Sequence, residues 1–492
     1  MKYARYFASI LTMVTLILGG TLSWPHRDAN LPRMQSSAPP IVRNQHAQAN
    51  VKSSLFLDGV VEGFYGPVWN DVDTRAILQF LSAHHLTAFI YAPKDDPYAR
   101  AKWNVLYPPP QLQSLGELVQ SANAFGISFI YSISPGLTID YKNPSDLQAL
   151  INKINQVKAL GVNTFLLSFD DIPQQGSLYN LAVDQAQIAD AVLKTEQASD
   201  PNFRLLFTPT IYWGIKPNAY WNGLKTALAP SIDVMWTGPW VLSQVITAKE
   251  ATAVERAMGH PVVIWDNYPV NDYTYVQPPH HPHLFLGPVV GRSPQLPQVV
   301  AGYFFNPMLQ AFASEPALWT GAAYLNNPSH YNPEQVWLQA LKSIGAGAPK
   351  AFTLFAEANV SSYLNYPIQT PLAQLTAAYW AGYRNRLVAY FHEMAGADST
   401  LSSHLANRAL LNEIEPWLIL FSREGKAGLL AVALLDAQRT GQRVSPAAIA
   451  ELESDERVIS GDTYSLDTTG PVLQFIRTAL EALQRQSAFA RQ

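Results

Sequence analysis

The stretch TFLLSFDDIP at residues 164–173 is the segment from which the fold of this chain can be inferred. Its short apolar run is typical of a strand buried on both faces, and Pro173 then withholds an N–H that the ladder would need. The strand ends in two adjacent acids, Asp170 and Asp171. Neighbouring residues of an extended chain point to opposite sides, so the two acids can hold different protonation states. Such a pair can equally cap a helix or bind a structural cation, and the surrounding sequence has to decide.

Further short apolar or aromatic runs lie on both sides of this strand, separated by segments with helical periodicity. The predicted strands are at residues 59–61, 87–91, 128–131, 164–169, 204–207, 233–236, 262–265 and 302–305. Before the acid pair, Asn143 can cap a helix that Pro144 begins and Gly161 ends. Alternating strands and helices predict an α/β protein, and eight repeats predict a TIM (β/α)8 barrel. A doubly wound open sheet is the alternative, although it more usually has about five or six strands.

The chain divides into regions of different character. The barrel is assigned to residues 54–348, and an all-α helical domain to residues 349–492, where strand signals vanish and apolar residues follow helical spacing. Ser445-Pro446, Asp455-Glu456 and Gly470-Pro471 are expected to separate the helices of this domain. The apolar stripes of these helices are most simply explained as residues of the core.

The N-terminal residues 1–23 resemble a secretory signal peptide, because Lys2 and Arg5 precede an apolar stretch. No clear Ala-x-Ala cleavage site follows, and the stretch approaches the roughly 17 residues that span a bilayer. An uncleaved signal anchor in the membrane therefore stays open. Residues 24–53 are polar, contain proline and predict a linker. We expect an exported protein that is secreted, periplasmic or anchored outside the cytoplasm.

Composition excludes several classes of function. The net charge is −4 and no long basic run occurs, so nothing predicts nucleic-acid binding. The chain has no cysteine, which excludes disulfides, thiolate metal ligands and cysteine nucleophiles. His280, His281 and His283 lack the i, i+4 spacing of a helical zinc site, and no phosphate-binding glycine loop is found. We expect neither a metal nor a cofactor.

Polar and aromatic residues follow the predicted strands, where a TIM barrel carries its catalytic groups. They are EGFYG (62–66), PKDD (93–96), SPG (134–136), DD (170–171), TIYW (210–213), WTG (236–238), WDN (265–267) and NP (306–307). Indole faces pack against the C–H surfaces of sugars, and Asp, Asn and Lys bind hydroxyls in fixed directions. The rim therefore predicts a carbohydrate site with the acid pair at its centre.

Longer motifs at these positions resemble glycoside hydrolase family 84, which contains the O-GlcNAcases and bacterial N-acetylglucosaminidases long labelled hyaluronidases. They are GVVEGFYG (59–66), YAPKDDPY (91–98), YSISPG (131–136), FDDI (169–172), WTGP (236–239), WDN (265–267), NDY (271–273), FLGP (285–288) and NP (306–307). The likeness follows chain order through the proposed barrel, and the helical C-terminus is similar to the bundle of bacterial members. Two departures are PVW at 67–69, where the family usually has Arg-Pro-Trp, and a longer loop at 274–284. Both leave the leaving-group preference open.

The resemblance implies retaining hydrolysis of a β-linked N-acetylglucosaminide of a glycan or glycoprotein. The acetamido oxygen of the substrate attacks the anomeric carbon and forms an oxazoline. By the family pattern Asp170 orients the acetamide N–H, and Asp171 protonates the leaving oxygen and then activates water. A hyaluronan-cleaving glycosidase and a non-catalytic glycan-binding surface protein are the alternatives.

Seven further residues receive roles from the same resemblance. Those expected to hold the acetamido group are Tyr212, Trp265 and Asn267, and those expected to bind sugar hydroxyls are Lys94, Asp272, Asn306 and the carbonyl of Gly63. Simpler roles also fit three of them. Trp265 could be barrel core, Asn306 a strand-end cap and Lys94 a member of a surface ion pair.

Overall fold

The computed structural model describes residues 56–174, 176–276, 280–366 and 370–489. The predicted signal or anchor segment at 1–23 and the linker at 24–53 lie outside the described residues. Within the described residues, no helix is both long and apolar enough to cross a bilayer.

Eight parallel strands close into one barrel in sequence order, and the last strand pairs with the first. They are β1 (Leu57–Glu62), β2 (Ala88–Tyr91), β3 (Ser128–Ile133), β4 (Thr164–Ser168), β5 (Arg204–Thr208), β6 (Asp233–Trp236), β7 (Val262–Asp266) and β8 (Gly302–Phe305). The predicted TIM barrel and its strands are confirmed. Closure between β1 and β8 excludes the open doubly wound sheet.

Helices lie between the strands and around them. They are α1 (Asp71–Ala83), α2 (Pro109–Ala124), α3 (Pro144–Lys158), α4 (Leu178–Gln197), α5 (Ala219–Ala227), α6 (Ala248–Met258), the short α7 (Asp272–Val276) and α8 (Ala311–Asn326). In α3 the side chain of Asn143 accepts the N–H of Ser145, and Pro144 is the first helical residue, as predicted. The helix ends at Lys158, slightly before Gly161, which turns the chain toward β4 with a φ of 99°.

Alternation along the strands separates an inner core from an outer one. The inner cluster fills the barrel and consists of Leu57, Val61, Ala88, Ile90, Ala92, Ile130, Leu166, Leu206, Met235, Val263, Trp265 and Phe304. In β4 the neighbours of Leu166, Phe165 and Leu167, belong instead to the larger cluster that includes the helices. Both faces of the strand are therefore buried, which explains its continuous apolar run.

A helical region follows α8, and its first helix still lies within residues 54–348, which the sequence assigned to the barrel. Its helices are α9 (Pro333–Ile344), α10 (Pro349–Glu357), α11 (Leu372–Trp380), α12 (Asn385–His404), α13 (Arg408–Arg439), α14 (Pro446–Ser460) and α15 (Thr469–Phe489). Ser445 caps α14, as expected of Ser445-Pro446, and Gly470-Pro471 lies in the first turn of α15. The prediction that Asp455-Glu456 separates two helices is wrong. Both acids lie inside α14, where Glu456 pairs with Arg477 at 2.6 Å.

Glu424 gives the helical region a pH-dependent stability. Its carboxyl group is buried in α13 and accepts hydrogen bonds from the hydroxyls of Thr468 and Thr469, both at 2.6 Å. Burial raises the pKa of Glu424 to about 8, and the two hydroxyls offset only part of this rise. The folded state therefore keeps a proton that the unfolded chain releases. The resulting stability is fully present below the unfolded pKa of 4.5 and is lost as the pH rises through about 8.

Replacing this residue should remove its share of the pH dependence, while Glu62, Glu315 and Glu413, whose pKa values burial also raises, keep theirs. From pH 5 to pH 8, we expect wild type to lose roughly 2–3 kcal/mol of unfolding free energy that Glu424→Gln retains. Urea unfolding of both proteins at the two pH values measures this difference. Glu456→Gln, at the partly exposed pair of α14 with Arg477, is the matched control and should behave like wild type. An identical pH dependence for Glu424→Gln and wild type would contradict the raised pKa.

Candidate active site

Alternation along β4 directs Asp170 into the mouth of the barrel. Leu166 lies in the inner cluster. Ser168, two residues further along β4, places its hydroxyl 3.0 Å from that of Ser132 on β3. Asp170 continues this series. Strict alternation would send Asp171 the other way, but its φ of 52° places it in the left-handed region that non-glycine residues rarely adopt. This local strain interrupts the alternation and is of a kind found at functional sites.

Asp170 is a buried carboxylate with cationic partners. The ammonium of Lys94 donates to its Oδ2, and Arg100 lies near enough to act on its charge. Burial favours the neutral acid, but Lys94 and Arg100 outweigh burial and lower the pKa of Asp170. Its Oδ1 is buried and has no hydrogen-bond partner among the described residues. An ionised acceptor with one open oxygen suits an N–H donor on a ligand.

Asp171 is held by two phenols instead of a cation. The hydroxyl of Tyr212 donates to its Oδ1 at 2.8 Å, and that of Tyr65 donates to its Oδ2 at 3.0 Å. Burial, followed by the charge of Asp171, raises the pKa of both phenols, so they stay hydrogen-bond donors. The guanidinium of Arg100 lies 5.1 Å from the Tyr65 ring and 3.4 Å from the backbone oxygen of Asp171. The two acids therefore have different partners, as the strand-end pattern predicts.

A wall of amides and one indole closes another side of the mouth. Asn267 Oδ1 accepts the indole N–H of Trp265 and the amide of Asn306, both at 2.9 Å. Asn306 Oδ1 accepts the N–H of Gly63 at 3.2 Å. A Cβ on Gly63 would overlap the Trp265 ring, so only glycine permits this close approach. Lys94 Nζ, 5.5 Å from the Trp265 ring centroid, joins this wall to Asp170.

The last predicted residue, Asp272, joins the cluster through the loop after β1. It is the first residue of α7, and its Oδ2 accepts the N–H of Tyr65 at 2.8 Å. Burial raises the pKa of Asp272 to about 6, against backbone hydrogen bonds that lower it, and Asp171 adds to the rise. The structure thus brings every predicted site residue into one connected cluster. Their chemical roles stay predictions.

The three residues for which simpler roles also fit lie in different surroundings. Lys94 is not part of a surface ion pair, because its side chain is only 4% exposed. Trp265 belongs to the inner core and borders the mouth as well. Asn306 accepts the N–H of Gly63 just after β1, as a strand-end cap would, and it also donates to the amide oxygen of Asn267.

Sequence reasoning missed two residues of this cluster. Tyr65 lies in a motif that was singled out, but it received no role, and Arg100 was not singled out at all. A hydrogen-bond network fixes the loop that carries Arg100. Asp96 Oδ2 accepts the hydroxyls of Tyr91 at 2.9 Å and Tyr107 at 2.5 Å. The PKDD motif marks this loop, but no spacing rule indicates that Arg100 reaches Asp171.

A buried ion pair holds the end of β7 behind the wall. Arg292 donates to both oxygens of Asp266, at 2.8 and 2.6 Å, and the hydroxyl of Tyr303 donates to Asp266 at 2.6 Å. Arg292 also binds the backbone oxygens of Gln244 and Val290. This pair fixes Asp266, which lies between Trp265 and Asn267 in the chain.

Breaking the pair should be costly. Arg292→Met leaves Asp266 buried without its cation, and we expect a loss of about 3–5 kcal/mol of unfolding free energy. Urea unfolding measures the loss. Arg477→Met, which breaks the exposed pair with Glu456, is the matched control and should cost at most about 1 kcal/mol. An equally small loss for Arg292→Met would contradict a structural role of the buried pair.

The histidine-rich loop lies against the helical region. In the part of the chain that is described, no group of three or more His, Asp or Glu side chains is placed to hold a metal ion. His281 Nδ1 lies 3.2 Å from the backbone oxygen of Thr463, and His283 lies 3.7 Å from Asp467. The loop therefore connects the barrel rim to the helices.

Known proteins resemble both regions of the chain. Residues 58–357 match the family described as beta-N-acetylglucosaminidase, and residues 372–462 match the hyaluronidase post-catalytic domain-like family. The protein O-GlcNAcases of Rattus norvegicus and Mus musculus are each 34% identical over 279 residues, or 55% of this chain. This chain spans only 30% of the length of each of these relatives.

Solved structures extend the likeness to most of the chain. A mutant of the O-GlcNAc hydrolase of Thermobaculum terrenum superposes with a TM-score of 0.76 at 28% identity, covering 88% of this chain and 96% of that one. CpGH84B gives a TM-score of 0.74 at 28% identity, covering 87% and 77%. The family match spans the entire barrel and the acid pair within it. The chain belongs to the beta-N-acetylglucosaminidase family, glycoside hydrolase family 84.

Proposed function

We propose that this protein is a retaining exo-β-N-acetylglucosaminidase that works through an oxazoline formed by the substrate's own acetamido group. The observation that carries the proposal is the pair Asp170 and Asp171, which are adjacent in sequence and held by different partners in one mouth. Membership of the family supports the reaction class. The names of its relatives, O-GlcNAcase and O-GlcNAc hydrolase, support removal of N-acetylglucosamine from glycoproteins.

Asp170 acts on the acetamide in this mechanism. Its open Oδ1 accepts the acetamide N–H and turns the acetamide oxygen toward the anomeric carbon. As that oxygen forms a bond to the carbon, positive charge develops on the acetamido group. An ionised carboxylate that is already in place stabilises this charge without reorganisation. The cations that lower the pKa of Asp170 keep it ionised for this task.

Asp171 moves the proton. It donates a proton to the glycosidic oxygen while the bond between that oxygen and the anomeric carbon breaks. It then takes a proton from the water that attacks the same carbon and opens the oxazoline, which restores the acetamide. Each displacement inverts the anomeric carbon, so the product retains the β configuration. Tyr212 and Tyr65 hold both carboxyl oxygens of Asp171 for these steps, so the single O–H of Tyr212 serves the acid instead of the acetamido group to which the resemblance assigned it.

The wall supports recognition of the N-acetyl group. Trp265 borders the mouth next to Lys94 and offers an apolar face to the acetyl methyl. Asn267 uses its oxygen for Trp265 and Asn306 and one N–H for the backbone oxygen of Val241 at 2.8 Å. A carboxamide has two N–H groups, so one remains for the acetamide oxygen. Lys94 has three donors and gives one to Asp170, which leaves others for sugar hydroxyls.

Export is part of this proposal and rests on the charge pattern of residues 1–23. We expect the full chain to be found outside the cytoplasm, either released or held at a membrane. Fractionation of cells that express it tests this expectation. Recovery in the cytoplasm alone would contradict it.

A direct assay tests the activity. The protein should hydrolyse 4-nitrophenyl β-N-acetylglucosaminide and release N-acetylglucosamine from a glycopeptide. The galactosamine epimer should react more slowly if the side chains of the mouth bind the 4-hydroxyl. A folded protein that cleaves no β-N-acetylglucosaminide would overturn the proposal. Shortening of hyaluronan from within, without release of terminal N-acetylglucosamine, would favour the hyaluronan-cleaving alternative.

A further inference from the structure

Two indoles lie stacked at the edge of the barrel mouth. Trp213 follows β5 and Trp240 follows β6, and their ring centroids are 5.9 Å apart with an interplanar angle of 21°. Trp240 is 51% exposed, and the same two loops expose Ile215 at 46% and Val245 at 53%. Single exposed apolar residues are common, but a stacked indole pair with further large apolar side chains exposed on the same two loops is typical of a binding surface.

Backbone continuity connects this stack to the reacting groups. Tyr212, which precedes Trp213, donates to Asp171 at 2.8 Å. Val241, which follows Trp240, accepts the side-chain N–H of Asn267 at 2.8 Å. The two loops that carry the stack therefore each supply a group to the mouth, one to the proposed acid and one to the acetamide wall. Because Asp171 meets the leaving oxygen, the aglycone has to pass this side of the mouth.

The two loops are fixed before any ligand arrives. The N–H of Gly214 donates to the backbone oxygen of Gly238 at 3.0 Å, which joins one loop to the other. Ser243 Oγ accepts the N–H of Trp240 at 3.0 Å, and Trp236 Nε1 donates to the oxygen of Gly214 at 2.9 Å. A surface that is already ordered loses little entropy when it binds.

We propose that Trp213 and Trp240, with Ile215 and Val245, form an aglycone platform that binds apolar side chains of the polypeptide carrying the N-acetylglucosamine. The inference rests on the proposed function and adds to it the residues that select the substrate. Indole faces also pack against the C–H surfaces of sugars, but a sugar would further need partners for its hydroxyls, and these side chains offer only indole N–H groups. Proline, aliphatic and aromatic side chains match indole and aliphatic surfaces directly.

Trp240→Ala tests the platform. The measured quantity is the ratio of kcat/KM for an O-GlcNAc peptide with apolar flanking residues to kcat/KM for β-N-acetylglucosaminyl fluoride, which has no organic aglycone. We expect this ratio to fall about tenfold, because exposed aromatic anchors dominate such contacts. Trp240→Phe, which keeps an aromatic face, should retain most of the ratio. Tyr383→Ala, at an aromatic residue of the helical region that is 75% exposed, is the matched control and should leave it unchanged.

A binding measurement keeps the test independent of turnover. Calorimetry should show the same glycopeptide binding about tenfold more weakly to Asp171→Asn/Trp240→Ala than to Asp171→Asn alone. An equal Kd, or an unchanged kcat/KM ratio, would overturn the platform while leaving the proposed hydrolysis intact. If Trp240→Ala weakened the binding of the disaccharide chitobiose but not that of the glycopeptide, the platform would also be overturned, because the surface would then bind sugar. Absence of hydrolysis by wild type would count against the proposed function, and the Kd comparison would still test the platform.

Discussion

Asp171→Asn should lower kcat/KM about 10³-fold for an N-acetylglucosaminide with a poor leaving group, such as a methyl glycoside or a glycopeptide. For a 2,4-dinitrophenyl glycoside the loss should be less than about tenfold. An alkoxide leaves only when it is protonated, whereas dinitrophenolate leaves without help. Because kcat/KM covers the steps up to the first irreversible one, the later task of Asp171 as base does not enter this comparison.

The control for this variant is Asp184→Asn, which changes the same residue type in the surface pair with Lys142. Its kcat/KM should match wild type on both substrates. Equal losses on the two leaving groups for Asp171→Asn would contradict the acid role, and so would no loss. Circular dichroism of each variant shows whether the barrel remains folded.

Asp170→Asn should give a different pattern, with kcat/KM falling about 10²–10³-fold on both substrates by a similar factor. Asp170 stabilises the charge that develops on the acetamido group, and that charge forms whatever the leaving group. The asparagine keeps an oxygen for Lys94 but loses the negative charge. A loss that grows with the basicity of the leaving group would assign proton donation to Asp170 and contradict the division of labour proposed here.

The barrel could be predicted because each of its strands carries its own local signal. Continuous apolar runs such as residues 164–169 arise because both faces are buried, by the inner cluster and by the helices. Their order along the chain then determines the topology. In the helical region the acidic pair Asp455-Glu456 gave a false boundary, since acidic side chains on a partly exposed helix face can pair across to Arg423 and Arg477.

Most residues of the site could be predicted, but the hydrogen bonds and ion pairs between them could not. Alternation places Asp170 in the mouth, but no pattern shows that Asp171 has a φ of 52°. Arg100 reaches the two acids from a loop whose conformation depends on hydrogen bonds between Asp96 and two tyrosines. Tyr363, between α10 and α11, donates to the backbone oxygen of Asn267 at 2.5 Å. Contacts between residues so far apart in sequence leave no local trace.

The central claim is that the substrate's own acetamido oxygen is the nucleophile, and fluorination of the acetyl methyl tests it most directly. Fluorine withdraws electrons from the attacking oxygen and leaves the aglycone unchanged. Values of kcat/KM for the N-acetyl, monofluoroacetyl, difluoroacetyl and trifluoroacetyl substrates with one aryl leaving group should fall steeply and in that order. Asp170→Asn should remain slower than wild type across the series. A flat response to fluorination would contradict the oxazoline mechanism.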